Sequence, residues 1–352
     1  MSNQNGKKFK IVKKKDYKEK ILENFNFLII KANTLEEKGA SFKTREYNDT
    51  IKAIKQYPNK ISHIGEVEKI LIEFGKKNPK KTLTKIQEII NTGILSEVEE
   101  AKKNPIIEAV KNLTKIYSIG YKKAKVLYSQ YNIKNVEQLR EKFKEDTSIL
   151  HGKQKLGLKY YDDLSKRIPR SEIELYEKQL IVYASEVDSS IKLSINGSYR
   201  RGHKDSGDID VLITSESENV TNLRLKFIEY LKKRKMIVDT LANGDKKFMG
   251  VTRLSESHNF RHMDIIETDA KCYPFGVLYF TGSGGFNARM RQHALNSGFS
   301  LNEYCLSDKF TKVGISSDLI FSKIGKYEFK EEKDIFDFLN MDYVEPPLRD
   351  II

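Results

Sequence analysis

The chain has 352 residues, 39% of them hydrophobic, with 63 Lys+Arg against 49 Asp+Glu and a formal net charge of +14. That length points to two or three compact units with cores of their own rather than one small module, and a basic excess of this size points to a polyanionic partner. Two cysteines, Cys272 and Cys305, with no C-x-x-C pair exclude a disulfide framework or a cysteine zinc module and make a reducing compartment the default, while the lack of any run of about 18 apolar residues excludes a helical membrane span.

In chain order, Met1 to Lys15 is a polar, lysine-rich tail (1–15) without a secretory signal, read as a DNA-binding tail, a nuclear signal or a plain solvated extension. From Asp16 to about Leu95 the pattern is helical: Tyr17, Ile21, Leu22, Phe25, Leu28 and Ile29 recur at helix spacing, a second helix fits Glu46 to Gln56 and stops before Pro58, and a third fits Thr82 to Asn91 with Gly93 as terminator. Another helical, basic stretch runs from Ile106 to about Pro169 and carries Ser118-Ile119-Gly120 between two helices. After Pro169 one more helix (Glu172 to Glu186) precedes strands over Ile191–Ile195, Asp208–Thr214, Met236–Thr240, Lys247–Thr252 and Phe260–Glu267, with a helix over Val220–Lys233 among them. From about Lys271 the pattern mixes short strands with helices near Asn287–Ser297 and Lys333–Asn340. The expected class is α+β, a helical N-terminal half joined to an α+β C-terminal half.

The run from Ile195 to Ile213, INGSYRRGHKDSGDIDVLI, carries the chemistry. Gly197-Ser198 follows a strand and opens a turn, where small residues let backbone N–H groups approach a phosphate. Arg201 adds a charged fork suited to a triphosphate oxygen. Asp208 and Asp210 stand two apart on a strand, so their carboxylates share one side while Ile209, Val211 and Ile213 take the other. With Asp264 on a later strand, three carboxylates can hold two Mg²⁺ or Mn²⁺ ions about 3.5–4 Å apart, the arrangement for in-line displacement at phosphorus. A D-x-D in a strand is usually a solvated face and a Gly-Ser pair usually a turn; it is their order and combination that is specific.

The run GSYRRGHKDSGDIDVLIT resembles the signature of the family X DNA polymerases. The stretches LGLKYYDDLSKRIPR (156–170), DTLANGDKKFMGV (239–251), GVLYFTGSGGFNARMRQHALNSGFSLNEY (276–304) and EKDIFDF (332–338) resemble that family in the same order, so the likeness covers roughly residues 16–350 and is denser in the C-terminal half. The resemblance implies a basic tail (1–15), a lyase-like domain (16–100), a helix-hairpin-helix DNA-binding domain (101–169), a nucleotidyltransferase-type palm (170–270) and a small α+β subdomain for the nucleotide and nascent base pair (271–352). By it Asp208 and Asp210 bind both ions and Asp264 the catalytic one. Ser198, Arg201, Ser206 and Gly207 hold the triphosphate. Tyr279 and Phe280 sit under the incoming sugar, with Gly282 letting the backbone turn. Asn287 meets the incoming base, Arg291 the template strand, and Tyr304 joins the DNA contacts. Asn287, Arg291 and Ala294 also fall on one helical face at i, i+4, i+7. In the lyase-like domain Lys85 matches the Schiff-base lysine and Lys43, Tyr47, Lys69 and Lys81 match phosphate-side positions; a neighbouring cation such as Lys81 favours the neutral amine that attack needs.

Four places depart from the family pattern. The first hairpin reads Gly75-Lys-Lys-Asn-Pro-Lys-Lys81, without its glycines. The second reads Tyr117-Ser-Ile-Gly120, with serine for the usual first glycine, and the carbonyls of Thr114, Ile116 and Ile119 are candidates for a Na⁺ or K⁺ site. His262 stands where an arginine is expected, and Gly284-Gly285 replace larger residues. The expectation is a monomeric, intracellular, template-directed, gap-filling repair polymerase acting on gapped or nicked DNA with dNTPs, with a 5′-deoxyribose-phosphate lyase activity and no membrane partner. Nucleus, cytoplasm and virion are not distinguished. The alternatives are a template-independent terminal transferase and a non-catalytic DNA-end-binding scaffold.

Overall fold

A computed structural model describes residues 15–57, 59–216 and 220–350. The basic tail up to residue 14 and Pro58 lie outside the described residues. The chain divides into two compact units, residues 1–114 with 120–135 and residues 115–119 with 136–352.

The first unit contains α1 (Lys18–Thr34), α2 (Ala40–Gln56), α3 (Ile64–Glu73), α4 (Lys80–Thr92), α5 (Ser96–Lys102), α6 (Pro105–Leu113) and α7 (Tyr121–Tyr131). Its core takes Ile21, Phe25 and Leu28 from α1, Ile54 from α2, Val67 and Leu71 from α3, Ile86 and Ile89 from α4 and Val98 from α5. These positions are the i, i+3, i+4, i+7 stripes that the sequence spacing marks on α1 and α4. Helix α2 begins six residues before the expected Glu46, and α3 is not set off by the sequence pattern. The α3–α4 turn turns on Gly75, at φ +88. Lys76, in this glycine-poor hairpin, turns back to Glu46 (2.7 Å) and Asp49 (3.1 Å) of α2.

The second unit opens with α8 (Val136–Glu145), α9 (Gly152–Lys159), α10 (Tyr161–Leu164), β1 (Ile168–Pro169) and α11 (Arg170–Val187). There follow β2 (Lys192–Ile195), α12 (Gly197–Arg200), β3 (Asp205–Ser206), β4 (Ile209–Thr214), α13 (Val220–Lys233), β5 (Ile237–Asn243), β6 (Lys247–Thr252) and β7 (Arg261–Glu267). The last part holds α14 (Tyr273–Thr281), α15 (Gly284–Asn296), β8 (Phe299–Leu301), β9 (Leu306–Asp308), α16 (Ser317–Ile324) and α17 (Glu332–Phe338). A five-stranded sheet runs in the order β2-β4-β7-β6-β5, with β4 and β7 parallel and the other neighbours antiparallel. One face buries Ile209, Val211, Ile213, Phe248, Met263 and Ile265 against Ile173, Tyr176 and Leu180 of α11 and Phe227 and Leu231 of α13. Burial of that face fixes register, since a slip of one residue would turn the apolar set outward. The other face of β4 and β7 is left for polar residues at one end.

A smaller core around Phe286, Met290, Leu301, Ile335, Phe336 and Phe338 holds the C-terminal part. Here the sequence reading needs correction. The segment YPFGVLYFT, read as part of a strand-containing stretch, is helix α14. Gly276 lets it lie on Leu212, whose Cδ2 is 3.2 Å from where a Cβ would stand. Tertiary packing overrides an aromatic, β-branched local preference. The Gly197-Ser198 turn is the short helix α12, and α15 starts at Gly284, before the expected Asn287. Among the described residues no helix is long and apolar enough to cross a membrane.

Candidate active site

Two neighbouring parallel strands carry the acidic residues. Asp210 on β4 is directly opposite Asp264 on β7, and Asp264 is in turn opposite Met249 on β6. Asp208 stands one residue before β4, its side chain half-buried. Ligand atoms of Asp208, His262 and Asp264 lie within 4.8 Å of one another. The structure therefore brings the three expected carboxylates to one end of the sheet and adds His262, which sequence reasoning marked only as a departure. Gly197 makes room: at φ +60 a Cβ there would lie 2.5 Å from Asp210 Oδ2.

The electrostatics ask for a cation. Asp264 is 4% exposed and its Oδ1 has no hydrogen-bond partner; His262 Nε2, 3.4 Å away, is buried without one as well. The other oxygen of Asp264 is held by Lys247 Nζ at 2.5 Å. Lys247 starts β6, two residues before the Met249 that pairs with Asp264, so its position was readable from strand alternation once the register was known. A clustered, partly orphaned set of hard oxygen donors fits a divalent cation.

Burial, then the negative charges of Asp208 and Asp264, push the Asp210 carboxyl up to about 7, with Lys247 and Arg201 acting the other way. Because this value lies above the ordinary carboxyl range, the folded protein holds a proton the unfolded chain gives up. The resulting destabilisation is absent below about pH 4, grows with pH and is complete above about pH 7, at on the order of 4 kcal/mol. A divalent cation bound there would replace that proton. The Mg²⁺-induced rise in melting temperature should therefore be larger near pH 8 than near pH 5.5, with close to one proton released on binding between them; equal thermal shifts at both pH values would refute the linkage.

The expected phosphate-side residues gather beside the aspartates. Ser198 Oγ donates to Ser206 Oγ (2.8 Å), and a Cβ on Gly207 would lie 3.2 Å from Arg167. Arg201 donates from Nε to both carboxylate oxygens of Asp350 (2.9 Å each) and from Nη1 to the Thr281 carbonyl (2.8 Å). His203 also meets Asp350, so a carboxylate near the C-terminal end sits on the arginine expected to meet a triphosphate. A cleft of about 710 Å³ is lined by Lys115, Tyr117, Tyr161, Gly207, Asp208 and His262. The larger cavity of about 800 Å³, around Cys272 and Cys305, includes none of the clustered carboxylates.

Tyr279 and Phe280 lie in an edge-to-face pair on α14, 5.1 Å between ring centres, and Gly282 follows at φ +69. Asn287 Nδ2 donates to the Tyr279 carbonyl (2.7 Å), and Arg291 lies 5.0 Å over the Tyr279 ring while bonded to Glu303 (3.2 Å). Gly284 and Gly285 form the first turn of α15, capped by Ser283 Oγ on the Phe286 N–H. Tyr304 is exposed, with the Lys246 ammonium 4.9 Å over its ring.

In the first unit Lys43, Tyr47 and Lys85 converge, from α2 and α4, on two glutamates that the sequence reading did not single out. Lys43 pairs with Glu37 (2.5 Å) and Lys85 with Glu97. The cationic neighbour expected to act on Lys85, Lys81, is exposed one turn before it on α4, and the direct partner is instead the Glu97 carboxylate. Lys69 is exposed on α3. Of the three carbonyls considered for a monovalent ion, Thr114 ends a segment of the first unit, whereas Ile116 and Ile119 belong to the second, where the Ile116 carbonyl accepts from the Ile119 N–H (3.0 Å). Ser118 takes the left-handed conformation, φ +67, that a glycine would adopt without strain.

A family model described as DNA polymerase beta palm matches residues 167–270, one described as DNA polymerase beta thumb matches residues 276–350, and one described as the fingers domain of DNA polymerase lambda matches residues 111–165. Over 97% of its length the chain is 28% identical to DNA polymerase lambda of Arabidopsis thaliana, and over 92% it is 29% identical to DNA polymerase lambda of Rattus norvegicus. It is 26% identical, over 92%, to the DNA polymerase type-X family protein pol4 of Schizosaccharomyces pombe. The chain spans 64%, 55% and 63% of those relatives. Two of the three family models bear the beta name, while the third and two of the three relatives bear the lambda name.

Proposed function

The chain belongs to the family X DNA polymerases, and from that premise we propose that it is a template-directed, gap-filling DNA polymerase of the repair type. The observation that carries the reading is the rung Asp210–Asp264, with Asp208 beside it and an unpartnered Asp264 oxygen, next to Ser198, Ser206 and Arg201. In the reaction a primer 3′-oxygen forms a bond to the α-phosphorus of a dNTP, the bond from that phosphorus to the bridging oxygen breaks, and pyrophosphate leaves. Asp264 accepts the proton of the 3′-hydroxyl at Oδ1. Arg201 exchanges Asp350 for phosphate oxygens, and Ser198 and Ser206 turn their paired hydroxyls to the same group. Asp208, Asp210 and Asp264 hold two divalent ions, Mg²⁺ or Mn²⁺, which when bound supply positive charge to the phosphates. Asn287, Arg291 and Tyr304 leave their internal partners for the nascent pair and the strands around it, where acceptors common to all base pairs test shape rather than sequence.

The reading extends to the first unit. Lys85, with Lys43, Tyr47, Lys69 and Lys81 on the phosphate side, forms a 5′-deoxyribose-phosphate lyase, and the turns around 76–79 and 117–120 contact DNA phosphates. The convergence of Lys43, Tyr47 and Lys85 on one charged cluster supports it. Extension of a primer across a one-nucleotide gap, with each template base in turn, tests the polymerase: incorporation should follow the template. Equal incorporation of all dNTPs, or extension without template, would identify a terminal transferase instead; no extension with any metal would leave a DNA-binding scaffold.

A further inference from the structure

A ladder of alternating charge crosses the first unit. Lys43 meets Glu37 (2.5 Å), Glu37 meets Lys31 (3.2 Å), Lys31 meets Glu97 Oε1 (2.7 Å), and Lys85 donates to the other oxygen, Glu97 Oε2. Glu97 on α5 thus divides its carboxylate between two lysines from different helices. Burial opposes its ionisation, but hydrogen bonds from Lys31 and Lys85 outweigh it and hold the carboxyl below its ordinary range. Tyr47 is half-buried beside it, and burial, then the charges of Glu97 and Glu37, pushes its hydroxyl up. A further titratable neighbour, Glu88 on α4, is turned to the Ser96 N–H (2.7 Å).

This division of labour is more than a surface ion pair. Lys31 anchors one oxygen from α1, so Glu97 stays in place when Lys85 swings to another partner. The freed oxygen is then a carboxylate base within reach of whatever Lys85 attacks. We infer that Glu97 is the acid–base partner of Lys85 in sugar-phosphate removal, an assignment that rests on the lyase reading above and adds to it the group that moves the protons.

The proton balance closes on these residues. Glu97 takes a proton from the Lys85 ammonium, and the amine lone pair forms the N–C bond to the C1′ aldehyde of the sugar. Glu97 returns the proton to the carbinolamine hydroxyl, which leaves as water and gives the protonated Schiff base. As a carboxylate again, Glu97 takes the C2′ proton. The C–H electron pair becomes the C2′–C3′ double bond as the C3′–O bond breaks, and that bond's electrons leave on the phosphate oxygen of the downstream strand. Water hydrolyses the protonated imine and frees Lys85 as the ammonium, and Glu97 gives the C2′ proton to solvent. No oxidant or further reactant enters.

The test uses the full chain on an incised abasic duplex and separates two steps: Schiff-base formation, trapped by borohydride after long incubation, and release of the sugar phosphate in a single turnover without borohydride. Glu97→Gln should reach the wild-type yield of trapped adduct while releasing product about 10²-fold more slowly, and its pH–rate profile should lose the acid limb. Glu97→Asp should recover part of the rate. Lys31→Gln, which loosens the anchor but keeps the base, should slow release less than Glu97→Gln. Unchanged affinity for gapped DNA shows that the variants are folded. Product release at the wild-type rate in Glu97→Gln would overturn the assignment alone. No adduct with the wild-type protein would overturn the lyase reading and this assignment with it.

Discussion

Asp264→Ala should reduce single-nucleotide gap filling by on the order of 10³-fold or more, while affinity for gapped DNA stays within a few-fold of wild type. The residue is 4% exposed, one oxygen is tied to Lys247, and the other is orphaned within reach of Asp208 and His262. On the proposed function, removing it would take away a cation ligand and the acceptor for the primer hydroxyl proton, both of which act where charge develops in the transition state. DNA affinity should survive because phosphate contacts from a lysine-rich chain dominate it, and it should fall steeply with salt. Asp208→Ala and Asp210→Ala should fall with Asp264→Ala, since residues that act as a unit are not additive. His262 provides the contrast. Donor atoms of Asp208, His262 and Asp264 lie within 4.8 Å of one another, whereas the sequence points to the three aspartates. If the aspartates carry the ions, His262→Ala costs little beyond a shift in the Asp264 environment. A loss as large as that of Asp264→Ala would make His262 a ligand, and near-normal extension by Asp264→Ala would remove it from the site altogether.

The parts of this site that are legible in the sequence are those carried by local periodicity. Ile209, Val211 and Ile213 alternate with Asp208 and Asp210, and burial of the first set forces the second to the open face. The pairing of Asp210 with Asp264 is a register across a crossover, and a motif hints at it without fixing it. Strand Lys247–Thr252 and helix Val220–Lys233 keep the expected bounds because apolar spacing and turn residues agree there. Helix α14 does not, because its aromatic residues favour a strand locally and only packing of Gly276 on Leu212 makes the helix the better solution. The partners of the functional residues were the least legible. Glu97 lies 66 residues from Lys31, and Asp350 lies 149 from Arg201. No local rule links such positions, and charged residues are abundant enough in this chain that pairing by composition is arbitrary.

Glu332→Ala should cost about 3–5 kcal/mol of stability in the second unit. Glu332 opens α17 and is 6% exposed, yet it serves two arginines and a tyrosine. Arg349 Nη1 donates to Oε1 at 2.6 Å, Arg200 donates to Oε1 and Oε2 at 3.2 and 3.0 Å, and Tyr343 donates to Oε2 at 3.0 Å. Burial by itself would favour the neutral acid; the Arg349 and Arg200 contacts overcome it and hold the Glu332 carboxyl below its ordinary range. Truncation would leave Arg349, 0% exposed, as a buried cation whose remaining hydrogen bond is to the Val344 carbonyl (2.9 Å), and would leave Arg200 with only the neutral partners Thr281 Oγ1 and Tyr343. An uncompensated buried charge is the costly case, far beyond the loss of one hydrogen bond. Glu332→Gln keeps the shape and an acceptor for one arginine, so it should lie between wild type and alanine. Urea unfolding followed by a probe in the second unit would show the midpoint falling in the order wild type, Gln, Ala at constant m-value. Arg200 ends α12, the helix that carries Gly197 and Ser198, and the next residue is Arg201. Both variants should therefore also weaken nucleotide binding at temperatures where they remain folded. A midpoint for Glu332→Ala within about 0.5 kcal/mol of wild type would show that Arg349 finds water or another carboxylate, and that the ion cluster is not what ties α12 to α17.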